Sequence, residues 1–165
     1  MKAKLIVNNQ EIEVEISEEE YKRLQPEKKT GYERVKNKTY FWITGEGRLL
    51  SQVDNSKADT LSYESANYYS DSTVAENNAR ADKLMRQLRR FAVERREKKL
   101  DWDNHKHHKH YISYDHEDAE LYSNYNCVIA RLGCPYFDSK ETAQLAIDTF
   151  RDELIWYFTE YKDSL

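Results

Sequence analysis

Two adjacent aromatic residues, with alanine seven positions after the first, occur twice in this chain. Tyr68-Tyr69-Ser70 leads to Ala75, and Tyr136-Phe137-Asp138 leads to Ala143. Each copy follows a stretch that alternates apolar and polar residues. Each precedes a stretch in which apolar residues return every three or four positions. Alternation marks a half-buried strand, and the longer period marks an amphipathic helix. The order, met twice, constrains the chain to a repeated β-β-β-α unit. Two packings fit it: the copies pair their sheets, or they pack sheet on helix.

The elements follow from the same periodicities. Residues 2–16 read as a hairpin, with Leu5 and Val7, then Ile12, Val14 and Ile16, alternating with polar residues around an Asn8-Asn9 turn. Ser17 and Glu20 form a capping box for a short helix over 18–24, and 26–30 is a polar connection. TYFWIT is a strand, Gly45-Glu46-Gly47 a turn and RLLSQV the return strand. Residues 54–60 read as a polar loop and 61–64 as a third strand. Ser70, Ser72 or Thr73 caps a long helix ending near Lys99. In the second copy, KHYISYD and AELYSNY form a hairpin, NCVIARL is a third strand, and Gly133-Cys134-Pro135 breaks it. A final helix runs from Ser139 to about Tyr161. The expected class is α+β, organised as an N-terminal hairpin and short helix over 1–30, a first sheet-plus-helix unit over 31–100 and a second over 101–165, in one compact domain.

The chain has only four Gly and two Pro, which argues against a phosphate-cradling loop. No apolar run reaches membrane-spanning length, and MKAKLIVNNQ has neither the long apolar core nor the cleavage site of a signal peptide, so the expected setting is cytoplasmic. Cys127 and Cys134 then read as reduced thiols. Thirteen tyrosines supply core volume usually drawn from leucine and valine, and suit half-buried sheets and contact surfaces.

Charge is distributed unevenly. Residues 80–99 hold nine Lys or Arg against three acids, a local charge of +6 in a chain of net −4, so the remainder carries −10. On a helix, Val74, Ala81, Leu84, Met85, Leu88, Phe91 and Ala92 share one face, and Lys83, Arg86, Arg89 and Arg90 fall opposite. These four are candidate contacts to an anionic partner, nucleic acid or an acidic protein surface. The competing readings are a solvated face that complements the helix dipole and a clamp onto the chain's own acids or a second copy. Glu11, Glu13 and Glu15 head an acidic run that suits a basic partner surface or simply solubility. On the final helix, Leu145 and Trp156 lie off the Ala143–Phe150–Leu154 face, as core or as an interface.

The remaining constellations are weaker. His105, His107, His108 and His110, with His116, match no established ligand spacing, so a solvated linker is preferred to a metal site. Tyr40, Phe41, Trp42, Tyr111 and Tyr114 could stack bases if exposed, though core packing accounts for most of them. No G-x-S-x-G, P-loop or HExxH is present. No catalytic residue, metal or cofactor is therefore expected.

Four segments carry a resemblance: EVEISEEEYKRL, YFWITGEG, LMRQLRRFAVE and YFDSKETAQLAIDTFRDELIWYFTEY. With these the chain resembles small, Tyr-rich accessory proteins of phages and prophages of Gram-positive bacteria. The resemblance implies a non-enzymatic protein that binds a host protein or ribonucleoprotein complex and inhibits or modulates it, as anti-CRISPR proteins do to defence nucleases. Direct DNA or RNA binding through the arginine helix is the alternative. A homodimer is compatible with either.

Overall fold

The computed structural model describes residues 2–7, 10–15, 17, 19 and 29–161. Of the expected helix over 18–24 only Glu19, which is helical, is among the residues described, and the Asn8-Asn9 turn falls outside them. The chain is α+β. β1 (Lys2–Val7) and β2 (Gln10–Glu15) pair antiparallel, with Lys2 opposite Glu15 and Leu5 opposite Ile12. β3 (Thr39–Ile43) pairs with β4 (Leu49–Val53) around the Gly45-Glu46-Gly47 turn, where Gly47 sits at φ +84°. Next come α1 (Lys57–Glu64) and α2 (Ser72–Glu94). β5 (Lys109–Asp115) and β6 (Glu120–Asn126) form the third hairpin. α3 (Lys140–Thr149), α4 (Arg151–Trp156) and a π-helical turn (Tyr157–Tyr161) complete the chain.

The aromatic pairs do the same work in both copies. The second aromatic residue of each makes one antiparallel bridge to the preceding hairpin: Tyr69 to Phe41, and Phe137 to His110. The first aromatic residue accepts a main-chain N–H through its hydroxyl: Tyr68 from Val35 at 3.0 Å, Tyr136 from Arg131 at 2.8 Å. Two residues on, Asp71 or Ser139 caps the helix, and Ala75 and Ala143 are fully buried in its first turn.

The third strand expected in each copy is only that single bridge. Residues 61–64 belong to α1, because Ser56 and Asp59 form a capping box that starts a helix at Lys57, within the expected loop. Residues 127–132 leave β6 because the Asn126 side chain accepts the N–H groups of Val128 and Ile129, a turn that ends the strand. α2 is capped by Asp71, through Thr73 and Val74 N–H, rather than by the flanking hydroxyls. It stops at Glu94, and the Glu97 and Lys98 N–H groups go to Asp138 instead. The final helix breaks at Phe150, where the Thr149 hydroxyl donates back to Leu145 C=O and the Phe150 ring packs edge-on to Phe91.

The apolar core lies between the C-terminal half of α2, the β5–β6 hairpin and α3–α4. It is built from Leu84, Leu88, Phe91, Leu121, Phe137, Ile147 and Leu154. The first half has a polar-aromatic centre instead. Buried Tyr40 stacks on Tyr68 at 4.0 Å, and its hydroxyl donates to Asp59. Asp59 also accepts from Gln52, from Asn55 N–H and from both donors of Ser56. Asp54 takes a two-point contact from Arg34 and a bond from Tyr68. Lys109 occupies the position of Tyr40 in the second half. It is fully buried, donates to the Asn104 and Cys127 carbonyls at 2.9 Å each, and lies over the Trp102 ring.

Candidate binding surfaces

α2 forms because its apolar residues return at helical spacing and Asp71 caps its first turn. Its buried stripe is Ala75, Ala81, Leu84, Leu88, Phe91 and Ala92. Lys83, Arg86, Arg89 and Arg90 point away from that stripe and are all exposed. Arg90 has an i,i+4 partner in Glu94 at 3.7 Å. Arg86 lies beside the β3–β4 turn, where a Cβ at Gly47 would stand 3.5 Å from its Nη2. Arg86 and Arg89 make no ion pair among the described residues.

Other cations of the 80–99 segment are engaged internally. Arg80 grips Glu153 of α4 at 2.8 and 3.1 Å, and its guanidinium lies 3.8 Å from the centre of the Trp156 ring. The Arg80 hydrogen bond holds the Glu153 carboxyl below its ordinary range. Arg95 folds over Phe91 at 3.8 Å. The basic helix is thus partly a clamp on the chain's own acidic C-terminal helix and partly a free cationic surface.

Of the two readings offered for Trp156, core or interface, the clamp makes it core. Arg80 covers one face of its ring and Tyr161 lies against it, leaving it 7% exposed. Leu145 is 48% exposed on the outer side of α3, between Glu141 and Asp148. The structure does not bring Leu145 and Trp156 together into one apolar stripe. Glu11, Glu13 and Glu15 occupy alternate positions of β2, opposite Ile6, Lys4 and Lys2. Two of the three therefore stand across from a lysine.

Tyr40 and Tyr111, considered as stacking platforms, are core residues at 0% and 4% exposure. His108 stacks on Tyr125 with its ring 6.1 Å from that of His110, His110 approaches the Ser123 hydroxyl, and His116 lies apart against Tyr114. Burial, and then the charge of His108, push the His110 pKa down. Among the described residues no three His, Cys, Asp or Glu side chains converge as metal ligands.

One feature escaped the sequence reading. A cleft of about 510 Å³ opens beside β5, between the loop 131–135, α2 and the π-helical turn. Leu84, Met85 and Leu88 form one wall, and Leu154, Tyr157 and Phe158 another. Its polar members are Ser113, His116, Arg131 and Cys134. The signal for it in the sequence was Gly133-Cys134-Pro135, read only as a strand break.

Comparison with protein-family models, curated proteins and solved structures finds no match for this chain. Among the described residues no helix is long and apolar enough to cross a membrane.

Proposed function

We propose that the protein is a binding protein rather than an enzyme. In this reading it is a phage accessory protein that acts in the cytoplasm of a bacterial host and inhibits or modulates a host protein or ribonucleoprotein complex. The observation that supports it is the outward face of α2, where Lys83, Arg86 and Arg89 are exposed on a helix anchored by its opposite side. A row of cations on a preformed helix steers an anionic surface, and only the side chains, not the backbone that carries them, are left to order on contact. The buried stripe of α2 holds the helix in place, and Arg80 adds a contact to Glu153 of α4.

The test is charge reversal. Replacing Lys83, Arg86 and Arg89 together by Glu is expected to abolish capture of the host complex, while circular dichroism stays unchanged because none of the three is buried. Undiminished capture by the reversed protein sinks the proposal. If the anionic surface is DNA or RNA itself, log affinity for it falls with log salt by about 0.7–0.9 per phosphate neutralised, and the reversed protein loses roughly three such contacts. A protein surface gives a shallower dependence.

A further inference from the structure

The cleft beside β5 is apolar along its walls and cationic at one end. Leu84, Met85 and Leu88 reach it from the inner side of α2, and Leu154 and Phe158 close it from the C-terminal helices. Among the described residues that line it there is no Asp, Glu or Lys, and Arg131 is the one permanently charged group. The chain as a whole carries 30 acids and a net charge of −4. A lining with an arginine and no carboxylate therefore sets the sign of what this cleft accepts: an anion.

Arg131 is held from both sides of its main chain. Its N–H donates to the Tyr136 hydroxyl at 2.8 Å, and that hydroxyl donates on to Ile129 C=O at 3.3 Å. Its C=O accepts Cys134 N–H at 3.3 Å. Its guanidinium carbon lies 4.7 Å from the centre of the buried Tyr111 ring. Such a ring contact positions a guanidinium while leaving its N–H donors for an acceptor. No ion pair among the described residues uses them.

From Arg131 the cleft follows β5. Tyr111, Ile112, Ser113 and Tyr114 all line it, so it extends on the order of 10 Å. At the far end the Tyr114 and Phe158 rings stand nearly parallel, 12° apart in plane, with centres 5.9 Å apart. His116 lies at the rim there, against Tyr114. A volume of about 510 Å³, apolar walls and a few placed polar groups are the properties of a small-molecule site.

We infer that this cleft binds a small amphipathic carboxylate: an unbranched alkyl chain with one anionic head. The carboxylate accepts N–H donors of Arg131. The chain lies along β5 between α2 and the π-helical turn, with the flexible Met85 side chain fitted against it. This site goes beyond the cationic face of α2 and uses the opposite side of that helix, so its failure leaves the proposed function untouched.

The experiment titrates the full chain with decanoate, decan-1-ol and octanoate, below the concentrations at which they aggregate, by calorimetry and by NMR. The chain has two methionines, so ¹³C-methyl labelling gives two signals, and that of Met85 is identified by the volume-conserving Met85→Leu. Decanoate is expected to bind one to one and to shift the Met85 methyl signal saturably. Decan-1-ol, which keeps the chain and lacks the charge, is expected to bind about tenfold more weakly. Octanoate, two methylenes shorter, is expected to lose about fifteenfold. In Arg131→Gln, decanoate is expected to fall to the affinity of decan-1-ol, whose own affinity stays unchanged and verifies that the cleft is intact. Four results overturn the inference: no saturable shift at Met85, decan-1-ol binding as tightly as decanoate, octanoate doing the same, or decanoate binding Arg131→Gln as it binds the parent. The second would leave an apolar hole without selectivity, and the third would place the alkyl chain outside the cleft. All three affinities are read on the parent chain, so the inference stays testable even if Arg131→Gln does not fold.

Discussion

Replacing Asn67 by Ala tests whether a strand edge in this molecule needs a partner. The Asn67 amide makes two bonds to one residue: it accepts Ile43 N–H at 2.8 Å and donates to Ile43 C=O at 2.7 Å. Each such bond contributes about 1 kcal/mol net, and leaving a partly buried main-chain group unpaired costs at least that much. Alanine removes both, with little cavity term because the residue is only half-buried. The expected loss is about 2 kcal/mol, or roughly 4–8 °C in Tm for a chain of this size. The assay is urea unfolding followed by Trp42 fluorescence, since Trp42 precedes Ile43 on β3. Leu61→Ala is the control. Leu61 is 67% exposed, and its truncation is expected to change stability by no more than about 0.5 kcal/mol. If Asn67→Ala shifts the midpoint no more than the control does, water satisfies the Ile43 edge. The contrast between the two halves then loses its energetic basis.

Three further outcomes follow from the packing and the buried charges. Trp156→Ala is expected to cost about 3–5 kcal/mol in urea unfolding, as a core truncation does, whereas an interface anchor would weaken partner capture with little change in stability. Ala66 adopts φ +57° just past α1; left-handed backbone strains any residue with a Cβ, so Ala66→Gly is expected to stabilise by about 0.5–1 kcal/mol in the same assay. Asp54 is held below its ordinary carboxyl range by its Arg34 bond. In Asp59, burial acts upward but is outweighed by the bonds from Ser56, Tyr40 and Asn55. Depressed carboxyls add stability that is fully present above the unfolded value of 3.8 and is lost as pH falls toward the folded values. The urea midpoint is therefore expected to hold from neutral pH down to about pH 4 and to fall progressively below that; a flat profile would contradict the network.

The parts of the fold legible in the sequence were those with a strong local period. The span KHYISYD coincides with β5, and the apolar stripe of α2 is buried as its spacing predicts. The elements missed were set by contacts that have no period. LSYE over 61–64 alternates weakly enough to pass for a strand, and only the capping contact of Asp59 with Ser56 makes it a helix. Trp156 lies off the main face of its helix in an ideal projection. It is buried because an arginine 76 positions earlier lies flat across it. Of the candidate contacts, Lys83, Arg86 and Arg89 were legible because charge opposite an apolar stripe is itself periodic. The cleft was not: it comes from Pro135 failing to continue a strand, and its walls are drawn from four separate segments.

The repeat also indicates where function and stability separate. The first copy satisfies its strand edge with Asn67 and fills its centre with Tyr40, Tyr68, Asp54 and Asp59, all hydrogen-bonded. The second copy keeps the bridge, the tyrosine hydroxyl contact and the buried alanine. It differs at the two positions that govern the edge and the centre: Pro135 stands where the first copy has Asn67, and Lys109 where it has Tyr40. Lys109 ties the carbonyls of Asn104 and Cys127 across the base of the hairpin. The base of β5 is thereby pinned, and beyond the His110–Phe137 bridge the outer main-chain groups of Ile112 and Tyr114 have no hydrogen-bond partner among the described residues. An unpaired edge is a liability in a sheet, and the first copy shows that one side-chain amide suffices to close it. The second copy builds the same bridge without that amide, because proline at 135 has neither a side-chain amide nor an N–H to offer Ile112.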